Sequence, residues 1–88
     1  MANTDKNIGA KVSIFPNPGN NLLQINNEAT EGVGYQILDV FGRIITKGEA
    51  GAGSSAKLNT ANWVSGVYYV VVLSENQVIV STTKWVKL

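Results

Sequence analysis

The sequence predicts an all-β fold of about seven short, mostly antiparallel strands. Three observations carry this expectation. Alternating or continuous β-branched and aromatic runs recur along the chain. Clusters of Gly, Pro, Asn, Asp and Ser separate them roughly every ten residues. No stretch sustains the 3.6-residue periodicity of a packed helix. One sheet alone would leave an apolar face wet, so two packed sheets are the economical arrangement: an immunoglobulin-like β-sandwich. A small open barrel is the competing all-β answer.

The elements follow in chain order. Residues 1–10 (MANTDKNIGA) read as a flexible lead-in or linker, and residues 11–88 as the folded domain. Lys11 to Phe15 alternates, placing Val12 and Ile14 on one face, and stops at Pro16-Asn17-Pro18-Gly19. There two prolines remove ladder donors and the Asn-Pro-Gly run favours a turn. Leu22 to Asn26 sets Leu23 and Ile25 opposite Gln24; a polar loop spans 26–34; Tyr35 to Val40 is the third run. In the tight connection Asp39-Val40-Phe41-Gly42, Gly42 supplies a positive φ and the Asp39 carboxylate is placed to accept turn amides. Arg43 to Gly48 follows, then a small-residue loop over 49–56 and a brief strand over 57–59. Asn59 or Thr60 is placed to cap one helical turn through Trp63. Val67 to Leu73, continuously β-branched and aromatic, reads as a central, well-buried strand, and the last strand runs from Val78 to about Val86.

Composition bounds function. The chain has 88 residues, 44% hydrophobic and 15% charged, with a net charge of +1. It is long enough for one small core but leaves little room for a deep cleft. Its charge gives no basic stripe for nucleic acid. With no histidine and no cysteine, disulfides, thiolate chemistry, zinc fingers and His-dependent triads are absent by inventory. The longest apolar run, Val67 to Leu73, is far too short to cross a membrane as a helix. The first ten residues lack the apolar stretch of a secretory signal. The protein is therefore expected either to stay in the cytosol or to be a segment of something longer.

No constellation of reactive groups emerges. Glu28 and Glu31 lie close in sequence, but no apolar wall flanks them to shift a pKa. Asn26-Asn27-Glu28 offers oxygens without the alternating acidic pattern of a calcium loop. Ser54, Ser55 and Lys57 sit in a Gly/Ala loop with nothing to desolvate the lysine. Neither Gly32-Val33-Gly34 nor Gly51-Ala52-Gly53 opens a helix after a strand, so there is no phosphate cradle. The expectation is no enzyme, no metal and no cofactor. Trp63 reads as core filling under the short turn. Trp85 alternates with Thr83 and Lys87, which places it on a sheet face or at a rim, where a sugar-stacking role is open to it.

Four segments in fixed order resemble a known family. They are "VSIFPNPGNNLLQI" with Pro16, Asn17 and Pro18; "YQILDVFGRII" with Asp39, Gly42 and Arg43; "LNTANWVSGVYYVVV" with Leu58, Gly66, Val67 and Tyr68; and the closing "STTKWVKL" with Lys84, Val86 and Lys87. The set resembles the C-terminal sorting domain of the type IX secretion system, type A, and covers the chain from Val12 to Leu88. The family usually carries an aliphatic residue or Phe where Trp85 stands, and many members end on the lysine before Leu88.

The resemblance implies a non-catalytic address on exported cargo, carried through the periplasm to the outer-membrane surface or the medium. It implies as partners the type IX translocon, an outer-membrane shuttle protein, a surface sortase that removes the domain, and a covalently fused upstream cargo. Cargo is then either released or attached to lipopolysaccharide. Lys84, Trp85, Val86, Lys87 and Leu88 are the expected recognition residues, the terminal strand being placed to pair with a partner's sheet edge; the plainer reading is an edge strand kept soluble by its lysines. Pro16, Asn17, Pro18, Asp39, Gly42, Arg43, Gly66 and Tyr68 are expected to be structural, with the Tyr68 hydroxyl reaching a loop carbonyl. A monomer is expected, with strand exchange between two copies open to the isolated domain. The reading from another class is a carbohydrate-binding or adhesive β-sandwich module of a secreted enzyme.

Overall fold

The computed structural model describes residues 8–88. Seven strands form the fold: β1 (Val12–Phe15), β2 (Leu22–Asn27), β3 (Val33–Leu38), β4 (Ile44–Ala50), β5 (Ser55–Asn59), β6 (Gly66–Leu73) and β7 (Ile79–Lys87). They build a three-stranded sheet ordered β1-β2-β5 and a four-stranded sheet ordered β4-β3-β6-β7. Every pairing within them is antiparallel. The β-sandwich is thus the arrangement adopted. Two inner faces close over Leu23, Ile25, Tyr35, Ile37, Tyr68, Val70, Val72 and Trp85. Alternation explains the selection: in β2 the pattern of burial is strictly every second residue, as a half-buried strand requires.

The registers give the sandwich two distinct ends. At one, here the tail pole, lie the β1–β2 turn, the β3–β4 turn, the segment before β6 and the end of β7. At the other, the far pole, lie the start of β1, the β2–β3 loop, the β4–β5 turn and the β6–β7 turn.

Several local expectations are corrected. The third strand starts at Val33 rather than Tyr35, because Val33 pairs with Ala50 and turns its side chain inward. The 49–56 loop shrinks to a turn over 51–54, since β4 continues to Ala50 and β5 begins at Ser55. No helical turn follows β5. Instead the Asn59 carboxamide accepts the Ala61 N–H at 3.0 Å and the Trp63 N–H bonds the Thr60 carbonyl, which makes a single turn. The expected lead-in lies outside the described residues over 1–7. Ile8, however, belongs to the core, and the main chain of Lys11 holds Glu28 N at 2.9 Å. The β6 run is internal to its sheet and largely buried, as expected; of its outward-facing residues Val67, Tyr69, Val71 and Leu73, Tyr69 is exposed and Val71 is buried.

Far-pole packing centres on Asn27, which is completely buried. Its amide nitrogen donates to the carbonyls of Glu31, Ala50 and Gly51 at 2.9–3.1 Å, and its oxygen accepts the Ala29 N–H at 2.9 Å. One side chain thereby ties the β2–β3 loop to the β4–β5 turn. That oxygen is committed to the chain itself rather than to a cation, and among the described residues no group of three acidic, His or Cys side chains is placed to hold a metal.

Candidate functional site

The residues singled out from sequence gather at the tail pole in two groups. The first joins the Pro16–Asn20 loop to the end of β7. Across a separation of 67 residues, the Asn17 amide donates to the Lys84 carbonyl at 2.8 Å. The Asn17 oxygen accepts the Val86 N–H at 3.2 Å. Gly19 N donates to the Val86 carbonyl at 2.9 Å, and Leu88 N donates to the Gly19 carbonyl at 2.8 Å. β7 is the last strand of its sheet, so these outward-facing groups are the ones an incoming strand would use. The loop occupies them with one carboxamide and one residue of parallel bridge. The expected open edge at the tail is corrected accordingly: from Lys84 to Leu88 it is already paired.

Trp85 is corrected too. Its side chain is fully buried, not at a rim. Its indole N–H donates to the Pro16 carbonyl at 2.6 Å, which gives a buried polar group the partner it needs. The ring packs with Trp63 and Tyr68 at centroid separations of 6.0 and 6.1 Å, and Trp63 lies 5.2 Å from Tyr68. Trp63 therefore does fill the core margin beneath its turn. The Tyr68 hydroxyl donates to the Val64 carbonyl at 2.5 Å. Gly19 is required here by close approach: a Cβ on it would stand 2.5 Å from the Trp85 ring and about as near to two main-chain oxygens as contact allows.

Lys87 shares the inward parity of Trp85 and is buried, at 6% exposure. Its ammonium reaches the Asn20 side-chain oxygen and the Leu88 main-chain oxygen, each at 3.0 Å. A long apolar stem inside with the charged head at the open end of the sandwich is the usual way such a side chain is accommodated. Of the five expected recognition residues, Lys84 and Leu88 are exposed and Val86 half-buried, while Trp85 and Lys87 are internal.

The second group is the β3–β4 turn. Asp39 accepts the N–H groups of Phe41 and Arg43 at 2.9 and 3.0 Å, and Arg43 Nε at 2.8 Å. Gly42 sits at φ 81°, a conformation costly for any residue with a Cβ. The Arg43 guanidinium lies 5.4 Å over the Phe41 ring, within reach of a cation–π contact. Partial desolvation raises the Asp39 pKa, but the hydrogen bonds from Arg43 and Phe41 and the Arg43 charge outweigh it and hold the carboxyl below its usual value. A carboxylate whose pKa is lowered on folding stabilises the fold above the ordinary carboxylate range, and that contribution vanishes as pH falls through the lowered value. Asp39→Asn should therefore flatten the loss of thermal stability below about pH 4. Midpoints measured at stepped pH check this; parallel curves for variant and parent would refute it.

Sequence reasoning missed Gly19 and Asn20 as clasp members and Thr60 as their support. Thr60 is fully buried, its hydroxyl bonding the Asn20 carbonyl at 2.8 Å. The glycine after Pro18 signalled a turn, but nothing local signalled what the turn would hold.

Fold and site together define an immunoglobulin-like β-sandwich module whose distinctive features are a clasped terminal strand and a braced hairpin, with no cluster of reactive groups among the described residues. A family of secretion system C-terminal sorting domains matches residues 13–87. The chain belongs to that type IX secretion C-terminal sorting domain family, and membership implies export to the cell surface or beyond it. Two solved structures share the fold. One is a protein from Bacteroides vulgatus with an immunoglobulin-like β-sandwich fold, at 15% identity, TM-score 0.71, covering 89% of this chain and 85% of that one. The other is PorZ, an essential surface component of the type IX secretion system of Porphyromonas gingivalis, at 19% identity and TM-score 0.74. The match covers 99% of this chain but only 13% of PorZ. No curated protein matches the chain significantly.

Proposed function

We propose that the chain is a non-catalytic sorting signal that directs an upstream cargo through the type IX system across the outer membrane and is then removed by a surface sortase. Its partners in this reading are the translocon, an outer-membrane shuttle protein and the sortase. The observation that carries it is convergence. Motifs spread from Pro16 to Leu88 meet at one pole, while the chain enters β1 at the opposite pole, where Lys11 bonds Glu28. Cargo attached ahead of β1 thus leaves the tail pole unobstructed. The sugar-binding alternative leans on Trp85, whose ring lies in the core.

The test fuses the full chain behind a reporter with an ordinary export signal. In a type IX-competent bacterium the reporter reaches the surface or medium, and in an isogenic strain lacking the translocon it stays in the periplasm. Equal distribution in both strains would sink the proposal. Within the tail, Lys84 and Leu88 are the side chains we assign to recognition, with Val86 between them. Removing residues 84–88 outright would also remove Trp85 and empty the core. The informative variant is therefore Lys84→Ala with Leu88→Ala: export should fall while the thermal midpoint stays unchanged.

A further inference from the structure

The tail pole carries more exposed apolar surface than a small monomer's fold requires. Phe41 and Val64 each keep 79% of their surface, Val40 59% and Ile45 45%. They surround a groove of about 370 Å³ between the β3–β4 turn and the Val64–Tyr68 segment. The groove opens onto the outer face of the four-stranded sheet, where Val67, Tyr69, Val71 and Leu73 form an apolar row along internal strand β6. An antiparallel sheet with one solvated face normally alternates apolar and polar residues. Here the outward positions of β6 are apolar as well: Tyr69 is exposed, Val67 and Leu73 are half-buried, and Val71 is buried between its neighbours. Contiguous apolar surface of this kind marks an interaction site.

Charge placement says what fits there. The described glutamates all lie at the far pole: Glu28 and Glu31 in the β2–β3 loop, Glu49 opposite Gly34, and Glu75 in the β6–β7 turn. Around the apolar face stand Lys47, paired with Gln36 on one flank, and Lys84, paired with Tyr69 on the other. Asp39, the carboxylate beside the groove, is held by Arg43. Beside the groove the rim is therefore cationic; Glu49, two residues beyond Lys47 on the same face, is exposed at that face's far-pole end next to Leu73. Two flanking lysines offer an anionic bilayer only about 1 kcal/mol each, and a concave groove suits an inserted side chain better than a flat lipid surface.

Resting on the sorting-signal reading, we propose that this face docks a protein partner that inserts an apolar side chain between Phe41 and Val64 and rings it with carboxylates set against Lys47 and Lys84. The tail contributes to the same surface through Lys84. Recognition then proceeds by side chains and charge, since the clasp has already taken the backbone edge beside it.

The experiment uses the full chain fused to the exported reporter. Phe41→Ser with Val64→Ser should cut export about tenfold, the loss expected of two interface anchors, with an unchanged thermal midpoint because both side chains are exposed. Lys47→Glu with Lys84→Glu should also impair export, and Lys47→Arg with Lys84→Arg should retain it. Undiminished export by either the serine or the glutamate pair overturns the inference while the sorting reading stands. A parent chain that is not exported overturns the sorting reading and this inference with it. Two controls address other occupants, using purified chain. Sedimentation with vesicles of equal parts phosphatidylglycerol and phosphatidylcholine that Phe41→Ser abolishes would assign the face to membrane. A dimer in analytical ultracentrifugation that Phe41→Ser dissolves would assign it to a second copy. Either result overturns the protein-partner assignment; a monomer that ignores the vesicles supports it.

Discussion

Replacing Trp85 with alanine should lower the unfolding free energy by about 3–5 kcal/mol, the cost of truncating a fully buried aromatic side chain. A small domain has a total stability of only about 5–15 kcal/mol, with one of this size at the lower end. The variant would therefore sit near its unfolding midpoint under ordinary conditions. The loss is large because several things vanish together. The ring fills the space between the sheets at the tail pole and touches both Trp63 and Tyr68. Its N–H satisfies the Pro16 carbonyl, and its edge closes on Gly19. Trp85→Phe keeps an aromatic ring at that position and loses the indole hydrogen bond, so it should cost less than the alanine change. Urea titration followed by far-ultraviolet circular dichroism measures both. An alanine variant within about 1 kcal/mol of the parent, the range of a surface substitution, would contradict the buried placement.

Asn27→Ala at the opposite pole should cost about 2–4 kcal/mol. The substitution leaves three carbonyls and one N–H without their partner, those of Ala50 and Ala29 in a buried setting and those of Glu31 and Gly51 in a partly buried one. Asn27→Asp is the instructive companion. It preserves shape and the contact with Ala29 N, but sets a carboxylate against the oxygens of Glu31, Ala50 and Gly51. It should destabilise at least as much as alanine at neutral pH. If the aspartate variant matched the parent, the donor role of the amide would be wrong. Because the two sites lie at opposite poles without shared partners, Trp85→Ala and Asn27→Ala should add in the free energies extracted from denaturant titration.

These sites also show where the sequence was legible. The β3–β4 turn could be read in full, because its determinants are local: an aspartate, a glycine and an arginine within five residues. The apolar parity of β2 and the internal position of β6 were equally plain. Trp85 was misplaced because its neighbour in parity, Lys87, looks like a solvent residue. At the open end of a sandwich a lysine can lie inward and still find oxygens for its head. The extents of β4 and β5 were obscured by Gly, Ala and Ser, whose small side chains carry little preference and are ordered only by pairing with β3 and β2. Asn27 looked like a loop residue, since nothing in a polar segment announces that its amide will be enclosed by two other loops.

The clasp was the least legible feature, and the reason is distance along the chain. Asn17 and Lys84 meet only once everything between them has folded, so no window of sequence contains the signal.

That separation has a bearing on the order of events during synthesis. The loop that holds β7 is made early and waits, with its carboxamide and Gly19 groups solvated, until residues 84–88 have left the ribosome. A chain cut short before Lys84 lacks the indole that completes the core and every group that Asn17 and Gly19 bind. The fold cannot close on it. Contacts of such long sequence separation also make closure slow relative to local hairpin formation. The β3–β4 and β6–β7 hairpins can form early, whereas the tail pole is finished last. The assembled tail pole therefore marks a chain whose synthesis has passed β7, and it is missing from any chain cut short before Lys84.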